Sequence, residues 1–163
     1  MKNKIIQALN WIVKILENNN IQYQITGGFA TNVYGSDRKT YDIDIDIKED
    51  DFENLLPYVQ KHLIYGPNIY TDEKWSLKLM SIEYKGQLID IGGAYETKIY
   101  NKIKSQRESL KVDLSKSQTI EYHGLKISVI MPTQLLNYKS KLGRNVDLID
   151  IEFLESYIEN TIG

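Results

Sequence analysis

The chain contains no cysteine. That excludes disulfide frameworks, thiolate zinc sites and thiol catalysis, and it agrees with a reducing, cytoplasmic setting. There are only two histidines, His62 and His123. One falls at a helix end and the other in a hairpin turn, with no partner at metal-ligand spacing, so both read as surface residues. No run approaches the roughly 20 apolar residues of a membrane span. The apolar N-terminal stretch is interrupted by Gln7, Asn10 and Lys14 and has no small-residue cleavage site. It reads as mature structure, with no membrane contact. The formal net charge is −2, so the excess of Lys and Arg that a non-specific nucleic-acid coat requires is missing. There is also no internal repeat, linker or low-complexity tract.

What remains is an ordinary globular composition. A length of 163 residues, with 42% hydrophobic and 26% charged side chains, predicts one domain spanning 1–163. A chain of that size buries roughly two-thirds of its unfolded surface without staples.

Apolar residues at helical spacing predict an amphipathic helix over 3–18, ended by Asn18-Asn19-Asn20. Residues 21–26 read as a strand, and Gly27-Gly28 lead into a short helix closed by Gly35. A polar turn, 36–41, precedes the alternating strand 42–47. A helix from about 50 to 62 follows, with acids at its positive end. Residues 63–91 predict two or three strands with a tight turn at Lys85-Gly86. Residues 96–110 read as a polar helix or loop, and 118–130 as a hairpin around His123-Gly124. Pro132 opens the first of two closing helices, at about 132–142 and 146–160, with Gly143 as the break. Interleaved strands and helices of this kind make an α+β, mixed-sheet α/β domain.

The unusual segment is Asp42-Ile43-Asp44-Ile45-Asp46-Ile47. In a strand the isoleucines take one face and the acids the other, with Asp42 and Asp44 about 6.6 Å apart along the strand. Asp is a poor strand former and the like charges repel. Such a local violation marks either a functional site or a solvated edge that blocks aggregation. A bound divalent cation would remove the repulsion, and oxygen ligands select Mg²⁺ over zinc. Asp90 alternates with Ile89 and Ile91 in a later strand, either as a further ligand or on an exposed face. Gly27-Gly28 is either a plain strand-to-helix turn or a close approach to phosphate. Arg38 and Thr40 sit in the turn before Asp42. Asp46 reads as solvent-facing, the alternative being that it extends the metal site. Trp11 and Trp75 read as packing, and the 12 tyrosines offer stacking faces with none singled out.

The ordered set Gly27-Gly28-Phe29-Ala30, Gly35, Arg38, Thr40, Asp42-Ile43-Asp44 and Asp90 resembles the signature of the polymerase-beta-like nucleotidyltransferases. It is most similar to the small branch that holds the antibiotic (aminoglycoside and lincosamide) nucleotidyltransferases. Pro132, Leu135, Leu136, Lys139, Gly143, Arg144, Asp147 and Asp150 resemble that branch's closing helices, except that Val146 replaces a usual lysine. Asp46 extends the acidic run beyond many relatives.

The resemblance implies a nucleotidyltransferase core and transfer of a nucleoside monophosphate, AMP from ATP or another NTP, to an acceptor hydroxyl. Asp42, Asp44 and Asp90 would be catalytic residues and ligands of two Mg²⁺ ions. Gly27, Gly28, Arg38 and Lys139 would bind the nucleotide, with a helix lysine lying along the surface as the alternative for Lys139. Arg144, Asp147 and Asp150 read as a salt-bridge network. The acceptor would be a small hydroxylated molecule. The alternatives are an RNA (tRNA) or protein acceptor, or a non-catalytic nucleotide-binding module. A homodimer could complete the acceptor site.

Overall fold

A computed structural model describes residues 2–162. Helix α1 (Lys2–Asn18) buries Ala8, Leu9, Ile12, Val13 and Leu16, one stripe at the spacing of a helix face. Strand β1 (Tyr23–Thr26) runs directly into α2 (Gly27–Val33), so the glycine pair is the first turn of the helix rather than a loop before it. Strand β2 (Asp42–Ile47) is followed by a 3₁₀ turn carrying Glu49, Asp50 and Asp51, then by α3 (Phe52–Val59). Residues 63–91 form three strands: β3 (Leu63–Thr71), β4 (Trp75–Tyr84) and β5 (Gln87–Gly93). Strands β6 (Lys98–Asn101) and β7 (Gln106–Ser109) form a hairpin, as do β8 (Gln118–Tyr122) and β9 (Leu125–Val129). The closing helices are α4 (Pro132–Leu142) and α5 (Asn145–Ile162). Gly143 separates them in the left-handed region at φ 57°, donating its N–H to the Lys139 carbonyl at 2.9 Å.

All nine strands of the described residues join one mixed sheet, ordered β7-β6-β4-β5-β2-β1-β9-β8, with β3 added against β4. β2 runs antiparallel to β1 and parallel to β5. Ile43, Ile45 and Ile47 are buried in the same core as Ile89, Ile91, Ile12 and Leu16. Each such side chain contributes roughly 1.5–3 kcal/mol by leaving water, which pins the register and forces the aspartates onto the opposite face. β3 follows β4 with register shifts between Leu63 and Tyr65 and between Tyr65 and Asn68. No helix of the described residues is long and apolar enough to cross a membrane.

The β6–β7 hairpin corrects the reading of 96–110 as a polar helix or loop. Its turn is built by a side chain. Asn101 Oδ1 accepts the N–H groups of Ile103 and Lys104 at 3.0 and 3.1 Å, and its amide donates to Glu108 at 2.8 Å. Polar residues that hydrogen-bond their own turn look like loop in a hydropathy pattern. His62 is a second correction. It is half-buried, 5.0 Å from the Trp11 ring and 5.3 Å from Tyr84, so the predicted surface histidine belongs to an aromatic cluster with the predicted packing residue Trp11. His123 is exposed as expected.

Candidate active site

The sheet register assembles the acids. Asp44 lies opposite Thr26 on β1 and opposite Asp90 on β5, and Asp90 lies opposite Ser81 on β4. Asp42 is one pleat repeat along β2 on the same face. Asp42, Asp44 and Asp90 each offer a carboxylate oxygen within 4.8 Å of the other two. Two like charges at that separation repel by roughly 3 kcal/mol at an effective dielectric constant of about 20. The Asp44 carboxyl is accordingly pushed well above the ordinary range, first by burial, then by the charges of Asp42 and Asp90. Asp42 is raised by burial and by Asp90. A compact, all-oxygen, mutually repelling donor set is the chemistry that fits a hard divalent cation such as Mg²⁺. Ser81 Oγ donates to Asp90 Oδ1 at 2.7 Å, fixing that carboxylate's orientation. The sequence offered no sign of this serine, because its role depends on the β4–β5 register.

The glycine turn abuts the acids. Gly27 has φ +66°, and a Cβ there would collide with the Asp44 carboxylate. A Cβ on Gly28 would lie 2.5 Å from Arg38 Nη2 and 3.0 Å from Thr40 Cγ2. Both positions therefore need glycine for close approach. The Gly27 N–H is engaged, donating to the Tyr138 hydroxyl at 3.0 Å, and that hydroxyl is 3.3 Å from Thr26 Oγ1. Tyr138 thus ties α4 to the glycine turn, a link between distant segments with no local sequence signal. The turn carrying Arg38 and Thr40 is anchored by Asn32, whose amide donates to the Ser36 and Arg38 carbonyls at 3.0 and 2.7 Å and whose Oδ1 accepts from the Thr40 hydroxyl.

Arg144, Asp147 and Asp150 do form a salt-bridge network, and it takes in Arg38 and Lys139. Arg38 donates twice to Asp150, at 2.7 and 2.8 Å. Lys139 Nζ lies 3.0 Å from Asp150 and 3.3 Å from Asp147. Arg144 donates to Asp147 at 2.7 and 3.0 Å. Both acids are fully buried and Lys139 nearly so. Burial alone would raise the Asp147 carboxyl, but the Arg144 hydrogen bonds and the Lys139 charge outweigh it and hold the group below its ordinary value. Burial acts to lower Lys139, and the neighbouring Tyr138 and Asp150 reverse that, so its ammonium is favoured overall. Three cations against two carboxylates leave a net positive wall.

Acids and cations face one cleft of about 460 Å³, lined among others by Gly27, Gly28, Arg38, Asp42, Asp44, Asp90 and Lys139. Every sequence-predicted site residue therefore meets in one place. Asp46 lines the cleft too, rather than facing open solvent. It accepts from the buried Gln24 amide at 2.9 Å, and burial raises its carboxyl to about 7. Trp75 lines the cleft as well, edge-on to Tyr138 at 6.0 Å.

This architecture is a nucleotidyltransferase fold. A nucleotidyltransferase structure from Thermotoga maritima superposes with a TM-score of 0.75 over 98% of this chain and 96% of its own, at 21% identity. The lincosamide antibiotic adenylyltransferase LnuA, lincomycin-bound, gives 0.62 over 93% and 96%, at 17% identity. ANT(2″)-Ia in complex with adenylyl-2″-tobramycin gives 0.61 over 94% and 88%, at 12% identity. A comparison with curated protein sequences gives no match. The chain belongs to the aminoglycoside-2″-adenylyltransferase family, whose profile matches residues 8–154. It is an enzyme of the nucleotidyltransferase class.

Proposed function

We propose that this protein, acting as one domain over residues 1–163, transfers AMP from ATP to a hydroxyl of a small-molecule acceptor. The carrying observation is the convergence of Asp42, Asp44 and Asp90 within 4.8 Å, beside a glycine turn and a cationic wall. The choice of ATP and of a small acceptor rests on the adenylyltransferase family and on the antibiotic-bound neighbours.

In this reading Asp42 and Asp44 would hold two Mg²⁺ ions, and Asp90 would complete one of the sites. When bound, such ions neutralise the triphosphate and stabilise the charge on the entering and leaving oxygens. The acceptor oxygen forms a bond to the α-phosphorus. The bond from that phosphorus to the bridging oxygen breaks, and its electrons leave with pyrophosphate. The acceptor's proton passes to Asp90 or to solvent. Arg38 and Lys139, fixed by Asp150, face the leaving pyrophosphate with no reorganisation required. Gly27 and Gly28 act by absence of side chain: the first lets the Asp44 carboxylate lie against the turn, and the second leaves room for the Arg38 guanidinium beside it.

The test uses ATP labelled at the α-phosphate, Mg²⁺ and a panel of hydroxylated acceptors. Asp42→Asn and Asp44→Asn should each lower transfer by about a thousandfold, the equivalent of several kcal/mol of lost charge stabilisation. Retained transfer in Asp44→Asn, or no binding of Mg²⁺ with ATP to the wild-type protein, refutes the proposal.

A further inference from the structure

Asp46 is the cleft carboxylate to which the catalytic reading gives no task. The sheet register stacks the cleft floor in rows. Thr26, Asp44, Asp90 and Ser81 form one row across β1, β2, β5 and β4. The next row, one pleat repeat along, is Gln24, Asp46, Gly92 and Leu79. The compact set of carboxylate oxygens comprises Asp42, Asp44 and Asp90 and does not extend to Asp46. No salt bridge of the described residues reaches Asp46, and the charge of Glu49 adds to its own. Asp147 and Asp150, by contrast, are each paired with cations.

Two further observations leave that row short of hydrogen-bond donors. Gln24 is fully buried, gives an amide N–H to Asp46 Oδ2 at 2.9 Å, and keeps its own Oε1 buried with no partner. An orphaned buried acceptor is costly. Asp46 Oδ1 accepts no hydrogen bond among the described residues. Beside it Gly92 has no side chain, and a Cβ there would lie 3.8 Å from that oxygen, so the glycine leaves room at the open acceptor. A neutral residue would serve the fold better here. A carboxylate held unpaired on a cleft floor points instead to a ligand cation.

The acceptor set selects the kind of cation. Gln24 occupies Oδ2, so the carboxylate cannot take the two parallel N–H groups of a guanidinium. One carboxylate oxygen and one amide oxygen are too few for a bare metal ion such as Mg²⁺ or Ca²⁺, which takes about six or more ligands. An ammonium brings three N–H donors. These meet Asp46 Oδ1 and, directly or through one water, Gln24 Oε1. Its charge also favours the ionised carboxylate. Of the two substrates the nucleoside triphosphate is anionic, so the ammonium belongs to the acceptor.

We infer that Asp46, braced by Gln24 and opened by Gly92, is a subsite for an ammonium group of the acceptor, set one pleat repeat, roughly 6–7 Å, from the hydroxyl that reacts beside Asp90. This rests on the transferase reading and adds to it a specificity-determining residue and a spacing between two groups of the substrate.

The test is ligand-observed NMR titration of the full chain with Mg²⁺ and a non-hydrolysable ATP analogue. The probes are aminopentanol, with hydroxyl and amine at opposite ends of five carbons, and pentanediol, which has a second hydroxyl in place of the amine. Aminopentanol should bind at least about tenfold more tightly, the gain of one charge-assisted hydrogen bond. Asp46→Asn should abolish that preference. Gly92→Ala keeps the carboxylate but fills the space at Oδ1, and should weaken aminopentanol by about threefold or more. Equal binding of the two probes to the wild-type protein overturns the inference. So does a preference that survives Asp46→Asn, and so does a wild-type protein that binds neither probe. Nucleotide binding is read in the same samples. If it is intact while the amine shows no preference, only the subsite is wrong. If it is absent, the transferase reading falls with it.

Discussion

Asp150 is where folding and the site meet most directly, and Asp150→Asn is the sharpest perturbation. The carboxylate is fully buried, receives two hydrogen bonds from Arg38 and lies 3.0 Å from Lys139. Asparagine keeps the volume and one acceptor, but it removes the charge and turns an amide N–H group toward a cation. Breaking a buried ion pair by removing one partner costs about 3–5 kcal/mol. The Arg38 side chain is 18% exposed and regains some hydration, and Lys139 keeps Asp147, so the lower end, about 3 kcal/mol, is expected. For a chain of this length about 2–4 °C of melting temperature accompanies each kcal/mol, so the midpoint should fall by roughly 6–12 °C. Urea unfolding gives the free energy directly. A double mutant with Lys139→Met should lose less than the sum of the single losses, because the second change removes the cation that the first leaves unpaired. A loss below about 1 kcal/mol, or strict additivity with Lys139→Met, would refute the view that these buried charges depend on one another.

Two further outcomes follow from geometry already given. Gly27→Ala should weaken Mn²⁺ binding by about tenfold in calorimetry, because the new methyl displaces the Asp44 carboxylate from its neighbours; unchanged affinity would separate the turn from the acids. In the metal-free protein, Asp46 has a folded-state value near 7 against an ordinary 3.8. Its contribution to stability is present below the unfolded value and disappears as pH rises through about 7. Asp46→Asn should therefore gain stability relative to wild type between pH 4 and 8, read from urea midpoints across that range; a pH-independent difference would contradict the burial argument.

The legible parts of the fold are those where side-chain pattern and backbone period agree. Strict alternation in 42–47 fixed β2 and its acidic face. Pro132 and Gly143 marked the two ends of α4, the first by its rigid φ and the second by its left-handed conformation. The β6–β7 hairpin escaped because Asn101 stabilises its turn through side-chain hydrogen bonds. The acids, glycines and Arg38 were legible as residue types in order. Their supports, Ser81 on Asp90 and Tyr138 on Gly27, were not, because a positioning contact between distant segments exists only once the register is set. Asp46 was misplaced because alternation tells which face a side chain takes, not how deeply that face is buried.

Strand β3 carries a consequence for solubility at high concentration. It exposes Ile64 and Ile69, the kind of apolar margin that invites another polypeptide to add on by main-chain pairing. Yet its irregular stretch contains Pro67, which has no amide hydrogen to give. An incoming chain would find its run of donors interrupted midway, so the molecule keeps a greasy rim while denying it the continuity on which stacking into fibres depends.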